Sequence, residues 1–455
     1  MRDLVLLAIV TGLVPLILWR PWLGVLAWFW VGLMAPHGLT WGFMRTFPIA
    51  TLIGGVTLLA LLLARDRQSL PGSREMYMMF VLAGFTALTS FFAVLPSAAW
   101  SQWQHFMKIL LMTFVTPMLI YGSKRVIWLL LVVTFSVAFF GVKGGVFAVM
   151  TGGAHMVLGP PGSFLSGNTY VGLALVMVLP MVLVSARFFS QGWGATGLRV
   201  VDSNRKLVGH FCYGAFWLTA IAILATYSRG AFIGLVAIAP FLFLRMQRKG
   251  LLVFLTFIAV AIMGIAPPER LAERWGTIKT YEEDTSAMQR IQAWGVNWNM
   301  AKESPLVGKG FRNVEMGYRW WVSYANFEGS WAHALSPHSL YFQWIGQHGF
   351  LGLAIFLLLV AFTFSTFGRI RRTAVQRTGQ IWLAEFAWAI RVGLIGYLVA
   401  GAFLDVAYFN LLYAFVALAI IMKRELDQHP PEATANAARL HPVGSAGLIA
   451  PAPGR

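Results

Sequence analysis

The sequence predicts an all-α polytopic membrane protein of about 12 transmembrane helices with one large loop on the side opposite the cytoplasm. Three observations carry this prediction. Charged residues make up 11% of the chain and hydrophobic residues 58%, whereas soluble domains carry roughly 25% charged residues. Apolar runs of about 17–25 residues, the length needed to cross a bilayer, recur along nearly the whole chain, and mean hydropathy is +0.69. Basic residues collect in alternate loops, as the positive-inside rule requires of a multi-pass protein.

Taken in order, the apolar segments are 3–19, 22–35, 47–64, 76–95, 106–121, 126–149, 168–186, 208–228, 230–247, 251–266, 338–366, 381–402 and 404–422. The N-terminus shows no small-residue cleavage site after its first apolar run, so no cleaved signal is expected. Residues 3–35 are interrupted by Arg20-Pro21 and their second half is short. We take them as one irregular crossing or a re-entrant pair, which gives twelve spans with both ends inside. Counting them as two spans gives thirteen. Arg65, Arg67 and Arg74, then Lys124 and Arg125, then Arg187, Arg199, Arg205 and Lys206 mark successive cytoplasmic loops. Arg245, Arg248 and Lys249, then Arg369, Arg371, Arg372 and Arg377, and finally Lys423 and Arg424 continue the pattern. The organisation is therefore an N-terminal transmembrane bundle over 1–265, a polar loop over 266–337, C-terminal membrane helices over 338–424, and a tail over 425–455 whose Pro, Ala and Gly content predicts disorder.

The formal net charge is +18. In a soluble chain this would point to nucleic acid. Here positive-inside loops absorb most of it, leaving a minority of cations for an anionic substrate and no nucleic-acid partner. The single cysteine, Cys212, excludes an intrachain disulfide. Many of the nineteen tryptophans stand near segment ends, as interfacial anchors do.

Within the polar loop, residues 286–303 read as an amphipathic helix behind the acidic run Glu282-Glu283-Asp284, with Thr285 or Ser286 as cap. Met288, Ile291, Trp294 and Trp298 fall near one face, and Arg290 is the i,i+4 neighbour of Trp294. The stretch Ser-Pro-Leu-Val-Gly-Lys-Gly-Phe-Arg, 304–312, ends that helix in a turn whose glycines permit close backbone approach.

The chemistry is sought where the loop meets the next membrane helix, at Ser-Pro-His-Ser-Leu-Tyr, 336–341. Pro337 suits a helix start and places His338 one residue inside it. A lone interfacial histidine is more often a satisfied structural residue than a base. This one follows a Ser-Pro turn beside a wet loop, and imidazole titrates near neutrality. Arg229, in Thr-Tyr-Ser-Arg-Gly, stands on the outer side, where the charge rule disfavours arginine. Arg290, Arg312, Lys108, Lys143 and Arg45 fall in the same compartment by topology. Each alone is about as well explained by snorkelling, but their gathering on the cation-poor side is informative, and guanidinium binds phosphate oxygens bidentately. Lys143 lies inside an apolar run, a functional position by default. Glu385 and Arg391 lie in the inner half of one segment and are expected to pair or snorkel. Asp405, near an outer turn, is a weaker candidate for orienting His338 or a substrate. There is no P-loop and no zinc-protease helix motif, and the outer carboxylates are too few to suggest a metal. No cofactor is expected.

Four motifs, Ser228-Arg-Gly-Ala231, Arg290-Ile-Gln-Ala-Trp294, Pro305-Leu-Val-Gly-Lys-Gly-Phe311 and Pro337-His-Ser-Leu-Tyr341 with Gly349 downstream, make the chain resemble the O-antigen ligase and polymerase superfamily of bacterial inner-membrane glycosyltransferases. The resemblance implies an essential histidine at His338 and donor-diphosphate arginines at Arg229 and Arg290. It further implies metal-free transfer of a glycan from undecaprenyl diphosphate to a sugar hydroxyl of lipid A–core at the periplasmic face of the inner membrane. Many relatives carry a glutamate where this chain has Gln347, so no carboxylate role falls there. A Wzy-type polymerase shares the donor and is the close alternative. A flippase of lipid-linked sugars is the alternative from another class, and the matched broken helices expected of a transporter are not visible.

Overall fold

The computed structural model describes residues 1–246, 285–326, 333–377 and 379–428. Among these residues every regular element is helical, apart from one isolated β-bridge between Gly159 and Gly167. Apolar runs of this length have no water to satisfy their backbone, so they close their hydrogen bonds internally. The helices are α1 Arg2–Trp19, α2 Trp22–Met34, α3 Ile49–Leu63, α4 Arg74–Phe91, α5 Pro96–Leu119, α6 Ser123–Met150, α7 Gly167–Gln191, α8 Arg199–Ser203, α9 Arg205–Ala225 and α10 Arg229–Arg245. After the undescribed stretch come α11 Thr285–Glu303, α12 Tyr318–Val322, α13 Leu340–Ala374, α14 Ile381–Gly401 and α15 Asn410–Gln428. Six of them, α1, α6, α7, α9, α13 and α14, are long and apolar enough to cross a membrane by length and composition. The chain is thus a multi-pass membrane protein. The expected segment 251–266, the acidic run 282–284 and the tail beyond 428 lie outside the described residues.

The bundle is built around α7, whose apolar window is wholly buried. It is packed on by α6, α9, α10 and α14. Glycine allows the approach of α14 to α7, since a Cβ at Gly393 would stand 2.3 Å from the Met177 carbonyl, and likewise that of α6 to α9, since one at Gly145 would stand 2.2 Å from the Leu218 carbonyl. Residues 3–35 form two helices, not one irregular crossing. The Asp3 carboxylate accepts from the backbone N–H of Gly42 and Met44, both at 3.1 Å, so the start of α1 meets the chain just beyond α2. At 13 residues α2 reaches about 20 Å, short of a hydrocarbon core of about 30 Å.

The structure adds the packing face of the expected loop helix and corrects the expected start of α13. The buried face of α11 is Ala293, Val296, Asn297 and Met300, while Ile291 and Trp298 are exposed. This face lies directly on α13, where a Cβ at Gly346 would stand 1.9 Å from Asn297 Oδ1. And α13 begins at Leu340, not at Pro337: His338 has a φ of 43° and Ser339 is extended.

The start of α13 is itself interrupted. Gly349 has φ 69° and ψ −176°, which breaks the helix after its first nine residues. The carbonyls of Gly346 and Gln347, at the break, accept from the backbone N–H of Lys309 (3.0 Å) and Gly310 (2.8 Å), while Phe350 N–H donates to the Pro305 carbonyl (2.8 Å). The Pro305–Phe311 turn is therefore hydrogen-bonded into the helix backbone. Glycine is required on both sides, since a Cβ at Gly308 would stand 2.5 Å from Gln347 C and His348 N, and one at Gly349 2.5 Å from the Pro305 carbonyl.

Candidate functional site

The His338 side chain is half exposed, and its Nδ1 lies 3.0 Å from Oδ2 of Asp405, whose side chain is largely buried. An unprotonated carboxylate accepts only, so Nδ1 carries the proton in the neutral ring and Nε2 keeps its lone pair. That leaves an unprotonated nitrogen on the edge of the imidazole away from Asp405. The other carboxylate oxygen, Oδ1, is buried without a hydrogen-bond partner among the described residues.

Both partners of the pair are held by backbone contacts. Trp294 of α11 donates from Nε1 to the Pro337 carbonyl at 2.7 Å and stacks on Phe342 at 5.2 Å between centroids. This holds the left-handed residue that follows; histidine is among the few non-glycine types enriched in that region. Asp405 stands in the turn between α14 and α15. Tyr397 donates to the Val406 carbonyl (2.7 Å), Ala407 N–H donates to Gln343 Oε1 (3.0 Å), and Tyr413 donates to the Ala407 carbonyl (3.2 Å).

A second histidine, His348, is fully buried beneath this turn. Its Nε2 bonds the Tyr408 hydroxyl and its Nδ1 the Thr89 hydroxyl of α4, both at 2.7 Å. Tyr408 donates onward to Gln347 Oε1 at 2.7 Å, and the imidazole sits edge-on to Phe311 at 4.5 Å. With both nitrogens engaged, His348 is a structural link and not a base. Nothing in the local sequence singles it out, because its partners lie 259 and 60 residues away along the chain.

Arg229 is the first residue of α10, exposed, behind Ser228, whose hydroxyl caps the helix by accepting from Ala231 N–H at 3.2 Å. A Cβ at the neighbouring Gly230 would stand 3.6 Å from the Ala400 carbonyl and 3.7 Å from Phe403 Cβ, so the α10 N-terminus abuts the turn that carries Asp405. Helix N-termini attract anions through their unpaired N–H groups, and here that potential adds to a guanidinium. Arg290 lies one turn before Trp294 on the same side of α11, about 6 Å along the axis from the indole that bonds Pro337. These contacts bring the backbone around Arg229, Arg290, His338 and Asp405 to one end of the bundle.

The other predicted cations are placed differently. Arg312 has a φ of 55° and its Nη2 pairs with Glu315 at 2.6 Å. Lys108 is exposed on α5, Arg45 is exposed in a short 3-10 turn, and Lys143 is exposed on α6, off the Gly141, Gly144 and Gly145 face that packs inward. Among the described residues none of these has a hydrogen bond or ion pair to His338 or Asp405. Nearby, Lys309 bonds Glu303 at 2.6 Å. That hydrogen bond, the largest effect, holds the Glu303 carboxyl below its ordinary value.

Residues 214–357 match the family model described as O-antigen ligase. This match supports membership of the O-antigen ligase/polymerase superfamily. The ligase-family match runs from within α9 to the kinked part of α13, so it encloses Arg229, Arg290, Arg312 and His338 and ends before Asp405. Residues 1–190, which hold Arg45, Lys108 and Lys143, match a family of unknown function. No curated protein sequence matches the chain. Members of the ligase family act on lipid-linked glycans in a membrane, which gives this chain an enzymatic role in general terms.

Proposed function

We propose that the protein is an O-antigen ligase, working at the periplasmic face of the inner membrane. It transfers a glycan from undecaprenyl diphosphate to a sugar hydroxyl of lipid A–core. The observation that carries this reading is the His338–Asp405 pair, 3.0 Å apart, at the end of the bundle where Arg229 and Arg290 also stand. His338 Nε2 takes the proton of the acceptor hydroxyl while that oxygen forms a bond to the anomeric carbon. The bond from that carbon to the diphosphate oxygen breaks, and undecaprenyl diphosphate leaves with the electron pair. Direct displacement inverts the anomeric centre. Asp405 stabilises the imidazolium that forms. Arg229, Arg290 and the α10 N-terminus meet the charge of the departing diphosphate, a role that fixed cations fill without a metal. Arg312, Lys108 and Lys143 are assigned no step.

The test uses purified protein with lipid-linked glycan and lipid A–core, in EDTA and without nucleotide. The expected products are the conjugate and undecaprenyl diphosphate in equal amounts. His338→Asn, which suits the left-handed backbone, should abolish both while leaving the melting temperature near wild type. Donor lengthening without conjugate would assign the protein as a polymerase. Movement of donor across vesicles without release of undecaprenyl diphosphate would make it a transporter. A strict need for Mg²⁺ would overturn the arginine account.

A further inference from the structure

At the opposite end of the bundle, arginines converge on one carboxylate. Glu385 of α14 receives Arg245 Nη1 at 2.5 Å and Arg187 Nη1 at 3.9 Å. Arg371 of α13 lies within charge range of both Arg245 and Glu385. Arg391, six residues further along α14, lies within charge range of Arg371 and Arg372. The pairing expected of Glu385 is thus observed, but with five guanidinium groups to one acid. Arg187 is 8% and Glu385 6% exposed. Among the described residues neither Arg371 nor Arg391 has a carboxylate in ion-pair range, and Arg391 Nε is buried with no hydrogen-bond partner. Gly368 leaves room for that side chain, since a Cβ there would stand 3.5 Å from Arg391 Cζ, and the guanidinium lies over Phe364 at 4.2 Å.

Snorkelling accounts for a single arginine at a helix end. It does not account for like charges drawn together at buried and half-buried positions, where their repulsion is only partly screened and burial adds a desolvation cost. We infer that the Arg187–Arg245–Arg371–Arg391 cluster is a binding site for a phosphate-bearing anion, with a phospholipid headgroup as the ligand that its place at a helix end favours. Planar guanidinium forks match phosphate oxygens bidentately. Glu385 fixes Arg245 and holds Arg187 nearby, leaving Arg371 and Arg391 to face the ligand. Along α14 the backbone of Glu385 lies about 24 Å, and that of Arg391 about 15 Å, before the helix end at Gly401, and Asp405 lies beyond that end, so the cluster stands apart from the transfer chemistry.

The test follows thermal unfolding of the purified, full-length protein in maltoside detergent, titrated with dioleoyl phosphatidylglycerol, dioleoyl phosphatidylcholine or inorganic phosphate. Phosphatidylglycerol should raise the melting temperature and phosphatidylcholine should raise it less. Arg371→Gln/Arg391→Gln should weaken the apparent phosphatidylglycerol affinity by about tenfold or more. Arg199→Gln/Lys206→Gln removes the same charge from exposed positions and should change little. Arg371→Lys/Arg391→Lys, which keeps charge but loses the fork, should fall between, and it carries the test if the glutamine pair does not fold. Inorganic phosphate that reproduces and competes with the lipid effect would make the ligand a soluble phosphate at the same site. An unchanged lipid response in the glutamine and lysine pairs, or an equal loss in the Arg199/Lys206 control, would overturn the inference.

Discussion

Asp405→Asn isolates the carboxylate from the histidine it touches. The substitution keeps side-chain size and leaves the turn's backbone bonds from Tyr397, Tyr413 and Gln343 in place. What changes is the hydrogen bond to Nδ1. A bond in which one partner is charged contributes about 1.5–3 kcal/mol, and Asp405 is only 12% exposed at its side chain, so solvent screens it little. If that contribution is realised as the imidazolium forms, the loss is about 10- to 150-fold in rate, at about 1.4 kcal/mol per decade. Stability should move the other way or not at all. Asp405 buries an oxygen without a partner, and removing the charge removes that desolvation cost. Initial rates of conjugate formation, paired with thermal unfolding of the same preparations, give both numbers. The expected result is a slow enzyme with a melting temperature at or above wild type. A variant within about threefold of wild type in kcat/KM would show that the 3.0 Å contact has no part in the chemistry.

Arg290→Lys keeps a point charge but loses the planar fork, so transfer should fall nearly as far as in Arg290→Ala, with any glycan on the donor; full activity in the lysine variant would refute diphosphate recognition by a fork. Gly349→Ala adds a Cβ 2.5 Å from the Pro305 carbonyl at φ 69° and ψ −176°, a backbone region open essentially to glycine alone and costing about 1–3 kcal/mol before the clash. It should lower the melting temperature and expose the Pro305–Phe311 turn to limited proteolysis, and an unchanged cleavage pattern would count against the docked turn. For orientation, a cysteine at Ser323 in a Cys212→Ser background should react with impermeant maleimide on intact spheroplasts, and one at Arg372 only after lysis. The opposite labelling would move the site to the cytoplasm.

The membrane helices were legible in the sequence because a bilayer imposes one length on every span, and α7 or α14 needs nothing beyond its own apolar run to be recognised. The start of α13 was not legible. Proline at 337 favours a helical first turn, but the Pro337 carbonyl is taken by Trp294 and the His338 ring by Asp405, so two distant contacts override the local preference. Which face of α11 packs inward was not legible either: Asn297 rests on Gly346 of α13, a contact the loop sequence alone does not reveal, while Trp298 meets Phe350 at 5.2 Å. Asp405 could be flagged only as polar near a turn, since its pairing depends on how α13 and α15 are brought together. His348 gave no signal, because a histidine beside a glycine in an apolar helix looks alike whether or not hydroxyls await it.

The break at Gly349 bears on how relatives could be recombined. Because the Pro305–Phe311 turn and the α13 backbone complete each other's hydrogen bonds, the stretch from α11 through Phe350 is one inheritable cassette, although it crosses from polar loop to apolar helix. A graft cut at the apparent boundary, near Pro337, would pair one protein's turn with another's kink and strand backbone groups on both sides. A graft cut after Phe350 would carry donor and acceptor together. Substrate preference carried by the loop should therefore transfer between family members only when the first nine residues of α13 and the glycine that ends them travel with it.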